Sequence, residues 1–287
     1  MKTKNVLFNI VTRASRSNYF QKCYDSIHNQ PHKKFKHFVT YEDDSMRHYL
    51  EQFDDLELIR VPSRRRIEGL TVAWNHNPIT DKYLEPNHEL FNYRFLNDNE
   101  TINNNKYKED TFDIKNEGFP HPVRDGINKT FTPDKTWVRY SKHAPYNLYL
   151  KIVEGYLDDD AWVVYIDDDD MLANSNALVE LNDIIVKEGI KNMLYINDFK
   201  FTGSHIVPPE EDKFLYKHGF PFIHGRIGGS CLCFHTTFRQ YTYWDEWTGG
   251  DYRTATSLRE YITNLNFTNI EVVCTQTGAN GGSRKDL

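Results

Sequence analysis

The stretch Ala161-Trp162-Val163-Val164-Tyr165-Ile166-Asp167-Asp168-Asp169-Asp170 decides how this chain is read. Its first six residues are apolar, β-branched or aromatic, the composition of a buried strand. Its last four are carboxylates. A sheet interior does not accommodate four adjacent unpaired charges, so the predicted strand ends at Ile166 and the acids emerge where it leaves the sheet. In an open α/β sheet that edge is where ligands bind. Crowded carboxylates raise one another's pKa unless a cation neutralises them. Oxygen-only ligands suit a hard ion, Mn2+ or Mg2+, which in turn holds a diphosphate. The competing reading is a solvated acidic turn, which is how Asp158-Asp159-Asp160 is read.

Working outward, Val6–Val11 reads as a first strand that breaks into the polar turn Thr12–Ser17. A helix follows from Tyr19 to about His28, with Phe20, Cys23, Tyr24 and Ile27 on one face. Lys36–Tyr41 is a second strand, also ending in acids (Glu42-Asp43-Asp44), and Leu56–Val61 is a third, stopped by Pro62. This β-α-β-(α)-β order implies a parallel sheet with right-handed crossovers. Residues 75 to 141 are polar, hold several Pro and Gly, and show no sustained period, so they read as an insertion in a single 1–287 domain. Regularity returns with a helix over Asn147–Leu157, a helix over Leu178–Val186 and a strand over Asn192–Ile196. Another strand is expected over Cys231–His235, then a helix over Tyr252–Leu265 and a last strand over Ile270–Cys274.

Lys+Arg 35 against Asp+Glu 41 gives a net charge of -6 over 287 residues, which provides no general field for nucleic acid. No run approaches the ~18 apolar residues that cross a bilayer. The N-terminal apolar run is too brief for a signal peptide, and the expected location is cytoplasmic. The four cysteines form no Cys-x-x-Cys pair and read as buried free thiols.

Three features together resemble the family 2 glycosyltransferases of GT-A fold: strand-then-acids at Glu42-Asp43-Asp44-Ser45, the Ile166-Asp167-Asp168-Asp169-Asp170 junction, and Gly249-Gly250-Asp251 before a helix. The resemblance implies a Rossmann-like α/β fold with a mixed, mostly parallel sheet flanked by helices. It also implies a nucleotide-sugar donor, UDP-linked by preference, a glycan acceptor, and Mn2+ or Mg2+ as cofactor. Thr12, Arg13 and Asp43 or Asp44 would flank the nucleotide. Asp167 and Asp169 would form the Asp-x-Asp pair at the metal, with Asp169 the direct ligand; the fourfold repeat keeps Asp168 and Asp170 in contention.

Asp251 would be the base of an inverting single displacement, with a plain helix N-cap as its other reading. Trp244, Trp247 and Arg226 would line the acceptor side, where core packing or a loop turn are the other readings. Arg284 and Lys285 would meet the donor diphosphate, unless they form only a basic terminus. Two rivals differ in class. A nucleotidyltransferase acting on sugar phosphates needs a Gly-rich loop after the first strand, and Val11–Arg16 has no glycine. A non-catalytic sugar-binding protein on the same scaffold would show no donor turnover.

Overall fold

The computed structural model describes residues 5–41, 44–61, 70–77, 82–83, 136–141, 152–201, 205–223, 225–242 and 250–276. The chain divides into two compact units, one of Met1–Val61 with Asn147–Leu287 and one of Pro62–Tyr146.

The first unit is mixed α/β. In chain order it carries β1 (Phe8–Arg13), α1 (Ser17–His28), β2 (Phe35–Tyr41), α2 (Asp44–Leu50) and β3 (Leu56–Arg60). The second unit, by itself, holds β4 (Leu70–Asn77), β5 (Lys82–Tyr83) and β6 (Thr136–Ser141), in the order β5-β4-β6 with antiparallel pairing. The first unit resumes with β7 (Trp162–Tyr165), β8 (Asp170–Leu172), α3 (Ala177–Glu188), β9 (Met193–Lys200), β10 (Ile206–Val207) and α4 (Glu210–Lys217). It closes with β11 (Leu232–His235), α5 (Gly250–Tyr261) and β12 (Asn264–Thr275).

Among the described residues the main sheet is nine-stranded, in the order β3-β2-β1-β7-β11-β9-β12-β8, with β10 on β9. β3, β2, β1 and β7 pair in parallel, and β9 pairs in parallel with β12. β11 runs antiparallel to both β7 and β9, so β9 and β12 share the direction of β1 and β7. The sheet is therefore mostly parallel. The C-terminal ends of β1, β2, β7, β9 and β12, and the start of β11, lie along one edge.

β7 lies between β1 and β11, and all four of its residues are buried, which is why Trp162–Tyr165 shows no polar alternation. Its Val163 and Val164 share a core cluster with Phe8, Ile10, Leu194, Ile196 and Phe234, and α1, α3 and α5 add Ile27, Leu181 and Leu258 to it. A smaller cluster joins Phe20 of α1 and Leu50 of α2 to Val39 and Tyr41 of β2.

Several boundaries differ from expectation. β1 continues through Thr12 and Arg13, which pair with Val39 and Thr40 of β2, so the polar turn starts at Ala14. Polar side chains suggest a turn, but Thr12 is tolerated in the strand because His37 takes up its hydroxyl (His37 Nε2 to Thr12 Oγ1, 2.9 Å). The last helix ends at Tyr261, and β12 begins at Asn264 rather than Ile270. A register shift between Phe267 and Glu271, with Asn269 at φ 54, breaks the alternation that would have marked the longer strand. Of the helix expected over Asn147–Leu157, the residues before Ile152 lie outside the described ones, and Glu154–Tyr156 form a 3-10 turn. The segment expected to be irregular holds β4, β5 and β6 at its borders; β4 pairs Leu70 with Ser141, a contact too distant in sequence for local periodicity to show. Cys23, Cys231, Cys233 and Cys274 are all free thiols, and no helix among the described residues is long and apolar enough to cross a membrane.

Ile10, with no exposed surface at the middle of β1, tests this core. Ile10→Ala is expected to cost about 3 kcal/mol in chemical denaturation, with an unchanged denaturant slope.

Candidate active site

The acidic run does not project into solvent as its charge predicts. Asp168, Asp169 and Asp170 are 0%, 6% and 6% exposed, and Asp167 is partly exposed. The expectation that the acids must emerge is corrected here. They sit at the predicted edge of the sheet, but three of them are enclosed. What makes this tolerable is a set of donors that single-strand reasoning does not see.

Asp168 is held from the loop between β1 and α1. Its Oδ2 accepts from the backbone N–H of Ser15 at 2.6 Å and of Arg16 at 2.7 Å, and from the Ser15 hydroxyl at 3.2 Å. Its Oδ1 accepts from Arg16 Nε at 2.8 Å and also from Arg16 Nη2. The same guanidinium bonds Asp169 with both arms, Nη1 to Oδ2 and Nη2 to Oδ1, each at 2.6 Å. Arg16 thus spans two carboxylates with a planar fork suited to them, and its Cζ stands 5.9 Å from the Tyr19 ring centroid. The two carboxylates raise the Arg16 pKa above its already high value, against the opposing effect of burial.

From the other side, Gln276, which follows β12, fastens the backbone of the turn. Its N–H donates to the Asp169 carbonyl at 2.9 Å. Its Nε2 lies 3.0 Å from the carbonyls of Tyr19 and Asp168 and 3.1 Å from that of Asp170. Asp170 N–H closes the turn onto the Asp167 carbonyl at 2.9 Å, and the Cys23 thiol donates to that carbonyl at 3.7 Å.

With Asp168 turned toward Arg16, the remaining three acids converge. Asp167, Asp169 and Asp170 each offer an oxygen, all within 4.8 Å of one another. Burial, then the Asp169 charge, pushes the Asp167 carboxyl up to about 6. Burial likewise raises Asp169, and raises Asp170 far above the usual carboxylate range. Like charges in an enclosed site are costly unless protons or a cation neutralise them. Three hard oxygen donors at this spacing fit a divalent ion.

Asp251 belongs to the same edge. It lies in the first turn of α5, and its Oδ1 accepts from the Tyr252 N–H at 2.8 Å. The loop at Gly228 passes beside this carboxylate: a Cβ there would stand in ordinary van der Waals contact with Asp251 Oδ2, at 3.8 Å. Two residues on, Ser230 donates to Asp170 Oδ2 at 3.3 Å. At the next residue, burial lifts the Cys231 thiol to about 12, helped by the charges of Asp251, Asp198 and Asp170.

The other residues singled out from sequence are placed as follows. Thr12 is fully buried, with its hydroxyl on His37; burial pushes His37 down to about 3, so the ring is neutral. Arg13 ends β1 and is 5% exposed, and Asp44 opens α2. Arg226 is half-exposed and faces Glu211 and Asp212 of α4, each 3.9 Å away. Asp43, Trp244, Trp247, Arg284 and Lys285 lie outside the described residues. Sequence reading missed Arg16, Gln276 and Ser230. Arg16 had a signal, as a cation at the end of the first strand's turn; Gln276 and Ser230 had none.

No protein-family model matches the chain, and no curated protein matches it. Among 44 solved chains of similar fold is the mannosyltransferase PcManGT from Pyrobaculum calidifontis in complex with GDP-Man and Mn2+, with a TM-score of 0.49 and 10% identity. The match covers 97% of this chain and 59% of that one, so the chain spans well under two thirds of that structure's length.

Two predictions follow from the buried charges and the turn. A carboxyl whose folded pKa lies above its unfolded value favours the folded protein while protonated, so stability falls as pH rises from the ordinary 3.8 of Asp167 to about 6. Melting temperature in metal-free buffer is expected to decline across that interval, and Asp167→Asn to flatten the decline. Gln276→Leu strands buried carbonyls and is expected to cost about 2–3 kcal/mol by urea denaturation.

Proposed function

We propose that this chain is a metal-dependent glycosyltransferase that moves a sugar from a nucleotide-sugar donor to a hydroxyl of a glycan or similar acceptor. The observation that carries the reading is the convergence of Asp167, Asp169 and Asp170 within 4.8 Å at the edge where the parallel strands end. Carboxylates with raised pKa values at such an edge mark a candidate functional site. The resemblance of the strand-to-aspartate junction to the Asp-x-Asp motif points the same way.

In this proposal Asp167, Asp169 and Asp170 hold Mn2+ or Mg2+. The bound ion supplies positive charge against a departing diphosphate. Arg13 at the end of β1, Asp44 at the start of α2 and the neighbouring Asp43 are assigned to the nucleotide side, and Arg284 and Lys285 to the diphosphate; Thr12, fully buried with its hydroxyl on His37, is left out of the donor site. Trp244, Trp247 and Arg226 are assigned to the acceptor. Asp251 is the general base. The acceptor oxygen attacks the anomeric carbon, and the bond from that carbon to the diphosphate oxygen breaks. The nucleoside diphosphate leaves with the electron pair, the acceptor proton passes to Asp251, and the anomeric configuration inverts. A UDP-linked donor is the preferred assignment.

Thermal stabilisation by UDP, GDP and dTDP, each with and without Mn2+, tests the reading. One nucleotide is expected to stabilise the protein by several degrees, and only with metal; no shift with any of them would count against a transferase. Asp169→Asn is expected to abolish the metal-dependent shift. Asp251→Asn is expected to keep the shift and to lower transfer at least a hundredfold. Full transfer by Asp251→Asn would remove that residue from the role of base.

A further inference from the structure

Arg16 places a fixed cation where the proposed metal site has its most important ligand. Both oxygens of Asp169 are taken by the two arms of the fork, at 2.6 Å each. A guanidinium bound in this way approaches a carboxylate from the side between its oxygens, which is also a favourable side for a metal ion. Its positive charge, this close, also repels a divalent cation directly. Asp169 therefore cannot be held fully by Arg16 and by a metal on Asp167, Asp169 and Asp170 at once.

Asp168 makes this competition a latch. It accepts from the Arg16 N–H and Nε, from Nη2, and from Ser15 N–H and Oγ. Its side chain is 1% exposed, so without the guanidinium it would be a buried charge with hydrogen-bond donors but no counter-ion. Loss of Asp169 leaves Arg16 tied to Asp168 through Nε and the backbone, and frees Nη1. The acidic run therefore divides by role: one carboxylate retains the arginine, three face one another, and Asp169 belongs to both sets.

Resting on the metal-site reading above, we propose that Arg16 is a built-in competitor that sets the divalent-metal affinity of this turn. Metal takes Asp169 from the guanidinium while Asp168 keeps it. Arg16 is a positioning residue here and touches no reacting atom.

The test is Mn2+ affinity, measured by the electron paramagnetic resonance signal of free Mn2+, in the full-length wild-type protein, Arg16→Met, and Arg16→Met with Asp168→Asn. The double variant removes the buried charge that the single variant leaves unpaired, and so guards against a folding defect; far-ultraviolet circular dichroism verifies the fold. Mn2+ is expected to bind at least tenfold more tightly to the double variant than to wild type. Affinity less than tenfold tighter than wild type, or weaker, would overturn the latch while leaving the metal site standing. Absence of Mn2+ binding in all three proteins would overturn both. A second measurement follows the Arg16 side chain by 15N NMR on addition of Mg2+. The Nη1 group is expected to gain rotational freedom while the Nε signal stays in place; an unchanged Nη1 would overturn the proposal.

Discussion

The structure around the candidate site depends on one constraint: three adjacent carboxylates are enclosed, and enclosed charge has to be neutralised or bonded. The Arg16 guanidinium meets that demand at both oxygens of Asp169, and together with the backbone N–H groups of Ser15 and Arg16 it meets it at Asp168. Breaking such a pair by removing one partner is strongly destabilising, on the order of 3–5 kcal/mol, because the other charge stays buried. The loop after β1 is therefore held to the end of β7 by electrostatics as well as by the parallel ladder, in which Ile166 N–H donates to the Val11 carbonyl at 3.0 Å.

The same constraint explains why the turn is stapled from three directions. The β1–α1 loop supplies donors to Asp168, Gln276 beyond β12 supplies donors to the turn carbonyls, and Ser230 before β11 reaches Asp170. Each donor arrives at the shared edge because β1, β7 and β12 end there and β11 begins there. A mostly parallel sheet brings such ends together from distant parts of the chain. The acid left least enclosed is Asp167, and Asp167, Asp169 and Asp170 are the acids that face one another. Rigidity on one side of the run thus leaves a compact set of oxygen donors on the other.

Further along the edge, the loop at Gly228 runs beside Asp251, and burial, with the carboxylates of Asp251, Asp198 and Asp170, raises the Cys231 thiol. A proposed base and a proposed metal set then sit around one short segment, Gly228–Cys231.

Much of this was legible in the sequence. The apolar run 161–166 specified a central buried strand, because a segment covered on both faces carries no polar alternation. The helical spacing of Phe20, Cys23 and Ile27 specified the first crossover, and the abrupt change to aspartate marked the edge at which chemistry is concentrated. The four aspartates, however, are identical as letters, and only tertiary partners distinguish them. Asp168 turns to Arg16 and Ser15, while Asp167, Asp169 and Asp170 turn toward one another, because donors from residues 15, 16, 230 and 276 converge on the turn. The exposure expected of the run failed for the same reason: the cost of burying charge is set by partners that local sequence does not contain. Composition and periodicity determined the strand and its edge; pairing across the sheet decided which carboxylate does what.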